Sequence, residues 1–126
     1  MMRLRSCALL LLAVVALCGC GPTPTALDRA AASGQDAVIR CEEAYARAYI
    51  AFRQGTINAA QRDTAQGLCR GAQVQAIQLG LMLRVAQTSG DTALADPVTA
   101  RTVAQYISQI NQAAAQIAAI AVGKEG

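Results

Sequence analysis

The stretch Phe52-Arg53-Gln54-Gly55-Thr56-Ile57-Asn58-Ala59-Ala60-Gln61 decides the fold. Gly55 suits the left-handed position that closes a helix. Asn58 suits an N-cap, with Gln61 at N3. One helix thus ends and another begins within a few residues, so the flanking segments are expected to pair antiparallel. Upstream, Val38, Cys41, Tyr45, Ala48, Tyr49 and Phe52 recur at spacings of three and four and predict a helix over 34–54. Ser33 with Asp36 forms a weaker variant of the capping box, and residues 26–32 read as a frayed turn. Asp36–Arg40 and Glu43–Arg47 are i,i+4 pairs worth ~0.2–0.5 kcal/mol each. Downstream a second helix is expected over 59–88, broken by Ser89-Gly90-Asp91-Thr92. Asp96 as N-cap and Pro97 at N1 open a third, over 97–122, that ends at Gly123. No alternating run rich in β-branched residues signals a strand. The expected fold is all-α: an antiparallel hairpin turning near Gly55 plus a third helix, a three-helix bundle over 33–123.

The faces of the second and third helices carry more information. Cys69, Ala72, Ala76, Leu79 and Leu83 cluster on one side of the second helix, and Val74, Ile77, Leu81 and Val85 nearly opposite. One face can pack on the first helix. The other needs the third helix, a second copy of the chain or another partner. The third helix is two-faced, with Val103, Ile107, Ile110, Ala114, Ile117 and Ala121 on its apolar side. Its polar side centres on Gln105, Gln109, Gln112 and Gln116. These amides form either a solvated face or a partner surface, since uncharged amides cost less to desolvate than charges.

Cys41 and Cys69 lie 14 residues either side of Gly55. In a hairpin turning there, residues whose numbers sum to about 110 face each other. That sets Cys41 against Cys69, Val38 against Ala72 and Tyr45 against Ala65. The expectation is a disulfide between Cys41 and Cys69, worth roughly 3–4 kcal/mol on the chain-entropy account. A reactive thiol pair and two buried free cysteines are the alternatives. Neither a Cys-x-x-Cys spacing nor a nearby Lys or His favours the reactive pair.

Composition removes several kinds of chemistry. The chain of 126 residues has no His, so Ser-His and Cys-His nucleophiles and imidazole metal sites are excluded. Glu42 and Glu43 are about 100° apart on a helix and do not make a facing carboxylate pair. Asp91 and Asp96 lack the alternating acidic spacing of a calcium loop. There is no glycine-rich phosphate loop. No catalytic residue, metal site or cofactor is expected, and the chain reads as a non-enzyme. From Cys20 onward there are 9 basic and 8 acidic side chains, 9 − 8 = +1. That near-neutral balance lacks the electrostatic footprint of nucleic-acid binding.

The first residues carry an address. Arg3 and Arg5 form a positive start, and Cys7 to Leu17 is an uncharged apolar run. Such a run is too short for a ~30 Å hydrocarbon core and fits a secretory signal instead. It ends in Leu17-Cys18-Gly19-Cys20, which resembles the lipobox of bacterial lipoproteins. The resemblance covers residues 1–21. It implies a signal peptide over 1–19, cleavage before Cys20, a diacylglycerol thioether on Cys20 and acylation of its new amino group. It also implies, through Gly21 rather than Asp after the cysteine, the outer membrane more than the inner one. Gly21-Pro22-Thr23-Pro24-Thr25 reads as an extended tether within a lipidated N-terminal stretch over 20–32.

These readings converge on a lipid-anchored envelope protein facing the periplasm. Its partners are expected to be the membrane, through the anchor, and another protein or further copies of itself. The candidate surface comprises Val74, Ile77, Leu81 and Val85 with Gln105, Gln109, Gln112 and Gln116. In size, anchor and helix content the chain is similar to the small helical pilotins that escort secretin subunits. A helical module binding a peptide or lipid, and a structural envelope component, are the alternatives.

Overall fold

The computed structural model describes residues 25–90 and 93–123. Three long helices, α1 (Ala26–Arg53), α2 (Ala59–Ser89) and α3 (Pro97–Ala121), pack as an all-α bundle. A short 3-10 turn, Ala93–Ala95, precedes α3. The caps act where the local sequence places them. Asn58 accepts from the Gln61 amide at 2.8 Å, and the Gln61 side chain accepts from the Asn58 amide at 2.9 Å. Asp96 accepts from the Thr99 amide at 3.0 Å, with Pro97 in the first turn. Gly55 has φ +75°, the left-handed conformation that lets α1 stop and the chain reverse. Ile57 is buried in that turn and pins it to the core.

The start of α1 differs from the sequence reading. The helix begins at Ala26, not near Gly34, and the segment 26–32 is helical. Thr25 is its cap: the Thr25 hydroxyl accepts from the Asp28 amide at 3.1 Å, and Asp28 accepts from the Thr25 amide at 2.9 Å. Ser33 and Asp36 therefore lie inside the helix. Gly34 does not interrupt it because its bare backbone is needed there. A Cβ at Gly34 would stand 2.7 Å from Leu79 Cδ2, so α1 and α2 close against each other at this point. The i,i+4 pairs Asp36–Arg40 and Glu43–Arg47 are not closed. Among the described residues the ion pair formed joins the neighbours Arg62 and Asp63 at 2.8 Å.

The side of α1 that faces inward also differs. Ala37, Cys41, Ala44, Ala48 and Ala51 are buried, whereas Val38, Tyr45 and Phe52 flank them half-buried and Tyr49 is exposed. Because α1 touches both other helices, small residues occupy its central line and the larger ones spread over the seams. On α2 the expected inner face is buried at Cys69, Ala72, Leu79 and Leu83, with Ala76 half-buried. On α3, Val103, Ile110, Ala114 and Ile117 are buried, with Ile107 and Ala121 at the edge. Ile110 and Ile117 are the largest wholly enclosed side chains. Arg62 lies over the Phe52 ring, 4.4 Å from its centroid, and clasps the hairpin near its turn.

The expected disulfide is not formed. Cys41 and Cys69 are free thiols, both buried. Counting outward from Gly55 places the two residues level and facing each other. It fixes height along the helices, not the sulfur separation or the direction of the Cβ bonds, and a covalent bond demands ~2.05 Å between sulfurs. The sulfurs meet instead as hydrogen-bond partners.

Closeness of α1 and α2 at Gly34 gives a direct test. Gly34→Val is expected to destabilise the bundle by about 1–3 kcal/mol in urea melts, because its Cβ would stand 2.7 Å from Leu79 Cδ2 and one of the two must shift. Asn58→Ala is expected to cost about 1 kcal/mol through the lost cap.

Candidate functional site

The outer face of α2 is where the fold leaves apolar surface without cover. Val74, Ile77, Leu81 and Val85 are 59%, 49%, 49% and 63% exposed, against 3% for Leu79 and 7% for Leu83 on the inner face of the same helix. The structure thus sends the two predicted faces of α2 to different fates: one is core and the other meets solvent. Neither α1 nor α3 covers the second face.

The exposed line extends further than its large residues. Ala60, Thr64, Gly67, Gly71, Val74, Gln78, Leu81 and Val85 follow one another at alternating spacings of four and three, and every one is exposed. This is a 3.5-residue repeat, the period of helix-on-helix seams. No member carries a charge. The Thr64 hydroxyl already donates to the Ala60 carbonyl at 2.9 Å, so little hydrogen bonding is lost if this end is covered. Ile77, Arg70, Asp63 and Arg84 flank the line on one side, each at a position just before a member of it. The sequence reading identified the four large residues. The small ones in the same register, Gly67 and Gly71 above all, were missed, though the four-three spacing marks them.

Those two glycines answer no close contact among the described residues. A helix-interior glycine costs about 0.8–1.0 kcal/mol relative to alanine. At Gly34 the cost is explained by Leu79. At Gly67 and Gly71 a Cβ would meet nothing within 4 Å. Paired four residues apart, they instead leave a flat stretch of backbone that another helix can approach closely.

On α3 the predicted amides are only partly brought together as a surface. Gln105, Gln112 and Gln116 are exposed and Gln109 is half-buried. Elsewhere a shallow depression of about 30 Å³ is lined by Thr25, Ala26, Leu27, Ala86, Gly90 and Leu94, where the start of α1 meets the end of α2. Among the described residues no side chain that is polar or charged is buried, and no three of His, Cys, Asp and Glu gather to hold a metal. No described helix is long and apolar enough to cross a membrane. The signal segment 1–19, Cys20 and the tether up to Pro24 lie outside the described residues. No family model matches the chain, and no curated protein or solved structure matches it either.

The thiol pair is the one buried reactive chemistry between α1 and α2. The hydrogen bond shared with Cys69 pushes the Cys41 thiol up, and burial and the nearby Glu42 charge add to this. The same hydrogen bond pulls Cys69 down while burial opposes it, so the first proton to leave belongs to the pair. Gln73 donates to Cys69 Sγ at 3.7 Å.

Two outcomes follow for the pair. In the folded chain both thiols should resist maleimide, and both should label fully once the chain is unfolded without reductant. An unfolded cysteine ionises near 8.5, whereas folded Cys41 holds its proton. Cys41 therefore favours the folded state fully below that pH, and the advantage falls as pH rises past it. Melts at pH 7 and pH 10 should show a larger alkaline loss in the native sequence than in the double variant Cys41→Ala/Cys69→Ala, which has no thiol to ionise on unfolding.

Proposed function

We propose that the chain is a small lipoprotein, held by acylated Cys20 at the periplasmic face of the outer membrane. It acts by binding protein rather than by catalysis. The observation that carries the binding role is the exposed, uncharged line on α2 that ends in Val74, Leu81 and Val85, with exposed Ile77 beside it. Covering what remains exposed of each is worth roughly 1 kcal/mol. Surface that apolar, set on a rigid helix whose other side is core, is ready to bind without an ordering cost in its backbone. The amides of Gln105, Gln112 and Gln116 provide a second face that is cheap to desolvate.

The anchor rests on the order Leu17-Cys18-Gly19-Cys20 after an apolar run with a positive start. Several acyl chains on one residue hold a protein to a membrane stably, since each buried CH₂ contributes about 0.8 kcal/mol. A ligand-binding role has less support: the depression beside Leu94 has about the volume of one water, far short of the ~300 Å³ of a small-molecule site.

Cys20→Ser should yield an unprocessed or soluble product with no incorporated palmitate; unchanged labelling would refute the anchor. Leu81→Lys should leave stability within about 0.5 kcal/mol, because the side chain is half exposed. It should also abolish protein cross-links formed from this face in membranes. Cross-links that persist would move the binding role off α2.

A further inference from the structure

We infer that the outer face of α2 binds the same face of a second copy of this chain, antiparallel, to form a two-fold dimer. This rests on the reading of that face as an interaction surface and names its occupant. The line is lopsided: its first half holds Thr64, Gly67 and Gly71, its second half Val74, Gln78 and Leu81. In a parallel pair the large halves would meet and hold the small halves apart. In an antiparallel pair each small half receives a large one.

One register satisfies this at every level. When facing residues have numbers summing to 145, Gly71 meets Val74 of the second copy, Gly67 meets Gln78, and Thr64 meets Leu81. Ala60 and Val85 close the two ends in the same way. The repeat alternates strictly, so each of these levels pairs the two kinds of core position that antiparallel helices bring together. Gly67 and Gly71, open to solvent in the single chain, lie under side chains of the second copy.

Charge selects the same register. In antiparallel pairs the same flank of each helix comes together. Asp63 then stands beside Arg84 of the second copy, twice by symmetry, and the aliphatic stem of Arg70 lies along Ile77. Moving the pairing by one repeat, to a sum of 152, would set Arg70 against Arg84. Within one chain Asp63 and Arg84 are 21 residues apart on one straight helix, roughly 30 Å, and cannot meet. Asp63 is exposed, and the adjacent Arg62, itself committed to Phe52, binds only one of its oxygens, which leaves the other for a second partner. The seam from Ala60 to Val85 is about 39 Å long. Two helices in contact over that length bury on the order of 1,000 Å² in total, the lower bound of a specific interface.

The test uses the full lipidated chain. In mild detergent at tens of micromolar, light scattering should give twice the chain mass. Asp63→Arg and Arg84→Asp should each weaken association several-fold, and the double exchange should restore it, since reversed charges again pair only between copies. Restoration cannot come from a structural effect within one chain. Gly71→Lys should give a monomer with unchanged helix content by circular dichroism. A monomer at every concentration, or a dimer indifferent to Gly71→Lys and to both charge changes, would overturn the inference. A photo-cross-linker at Leu81 in membranes separates this failure from a wider one. Adducts of twice the chain mass support the dimer. Adducts only with a different protein overturn the dimer and leave the binding role standing, and no adduct at all removes both.

Discussion

The bundle depends on the small size of what α1 presents to its neighbours. Ala37, Ala44, Ala48 and Ala51 make a line down the helix that lets both α2 and α3 approach closely, and Gly34 continues it at the end nearest Leu79. An alanine buries little area. What it permits is contact: neighbouring side chains and backbone come within dispersion range over the whole length of the helix. The bulk of the core comes from the other side, with Ile110 and Ile117 of α3 wholly enclosed. Helices of 28, 31 and 25 residues make this workable, since many small contacts add along them.

This constraint explains what could be read from the sequence and what could not. The turn at Gly55, the cap at Asn58 and the start at Asp96-Pro97 are local matters, settled by φ preference and by hydrogen bonds three residues apart, and the structure places all three as read. Where α1 begins is also set by a local box, Thr25 with Asp28, which the sequence reading passed over in favour of Ser33 and Asp36. Gly34 argues against a helix interior by propensity, and only its contact with Leu79 on another helix justifies it. The inward side of α1 was displaced for a related reason. Periodicity weighs Val38, Tyr45 and Phe52 heavily and alanine lightly, whereas a helix touching two others puts its smallest residues at the centre. The cysteines mark the limit of counting: Cys41 and Cys69 do stand face to face, but register along two helices does not set the distance across them.

The same bias hid half of the α2 surface. A hydrophobic stripe is recognised by its large members, and Val74, Ile77, Leu81 and Val85 were visible on that ground. Their register continues through Gly71, Gly67, Thr64 and Ala60, which no hydropathy measure would select. Solvent exposure separates the two roles that small residues play here. On α1 they are buried and bring helices of one chain together. On α2 they are exposed, and a mid-helix glycine whose added Cβ would meet nothing among the described residues is a cost with no return there.

The proposed anchor, if carried on Cys20, bears on how such a surface would be used. Thr25, where the described chain begins, lies beside Ala86, Gly90 and Leu94, so a lipid tether on Cys20 would leave from the end of the bundle that holds the C-terminus of α2. The Gly55 turn is at the far end, about 40 Å away along α1. A face running the length of α2 therefore starts near the tether and leads away from it. An antiparallel pair places its two tethers at opposite ends, and both reach one membrane only if the bundles lie along it. A foreign partner imposes no such condition and could find the bundle standing upright. Lying flat would also bring the flanks of the bundle, rather than its Gly55 tip, towards the lipid headgroups. The direction of the bundle relative to the membrane is thus tied, through the position of Thr25, to what covers α2.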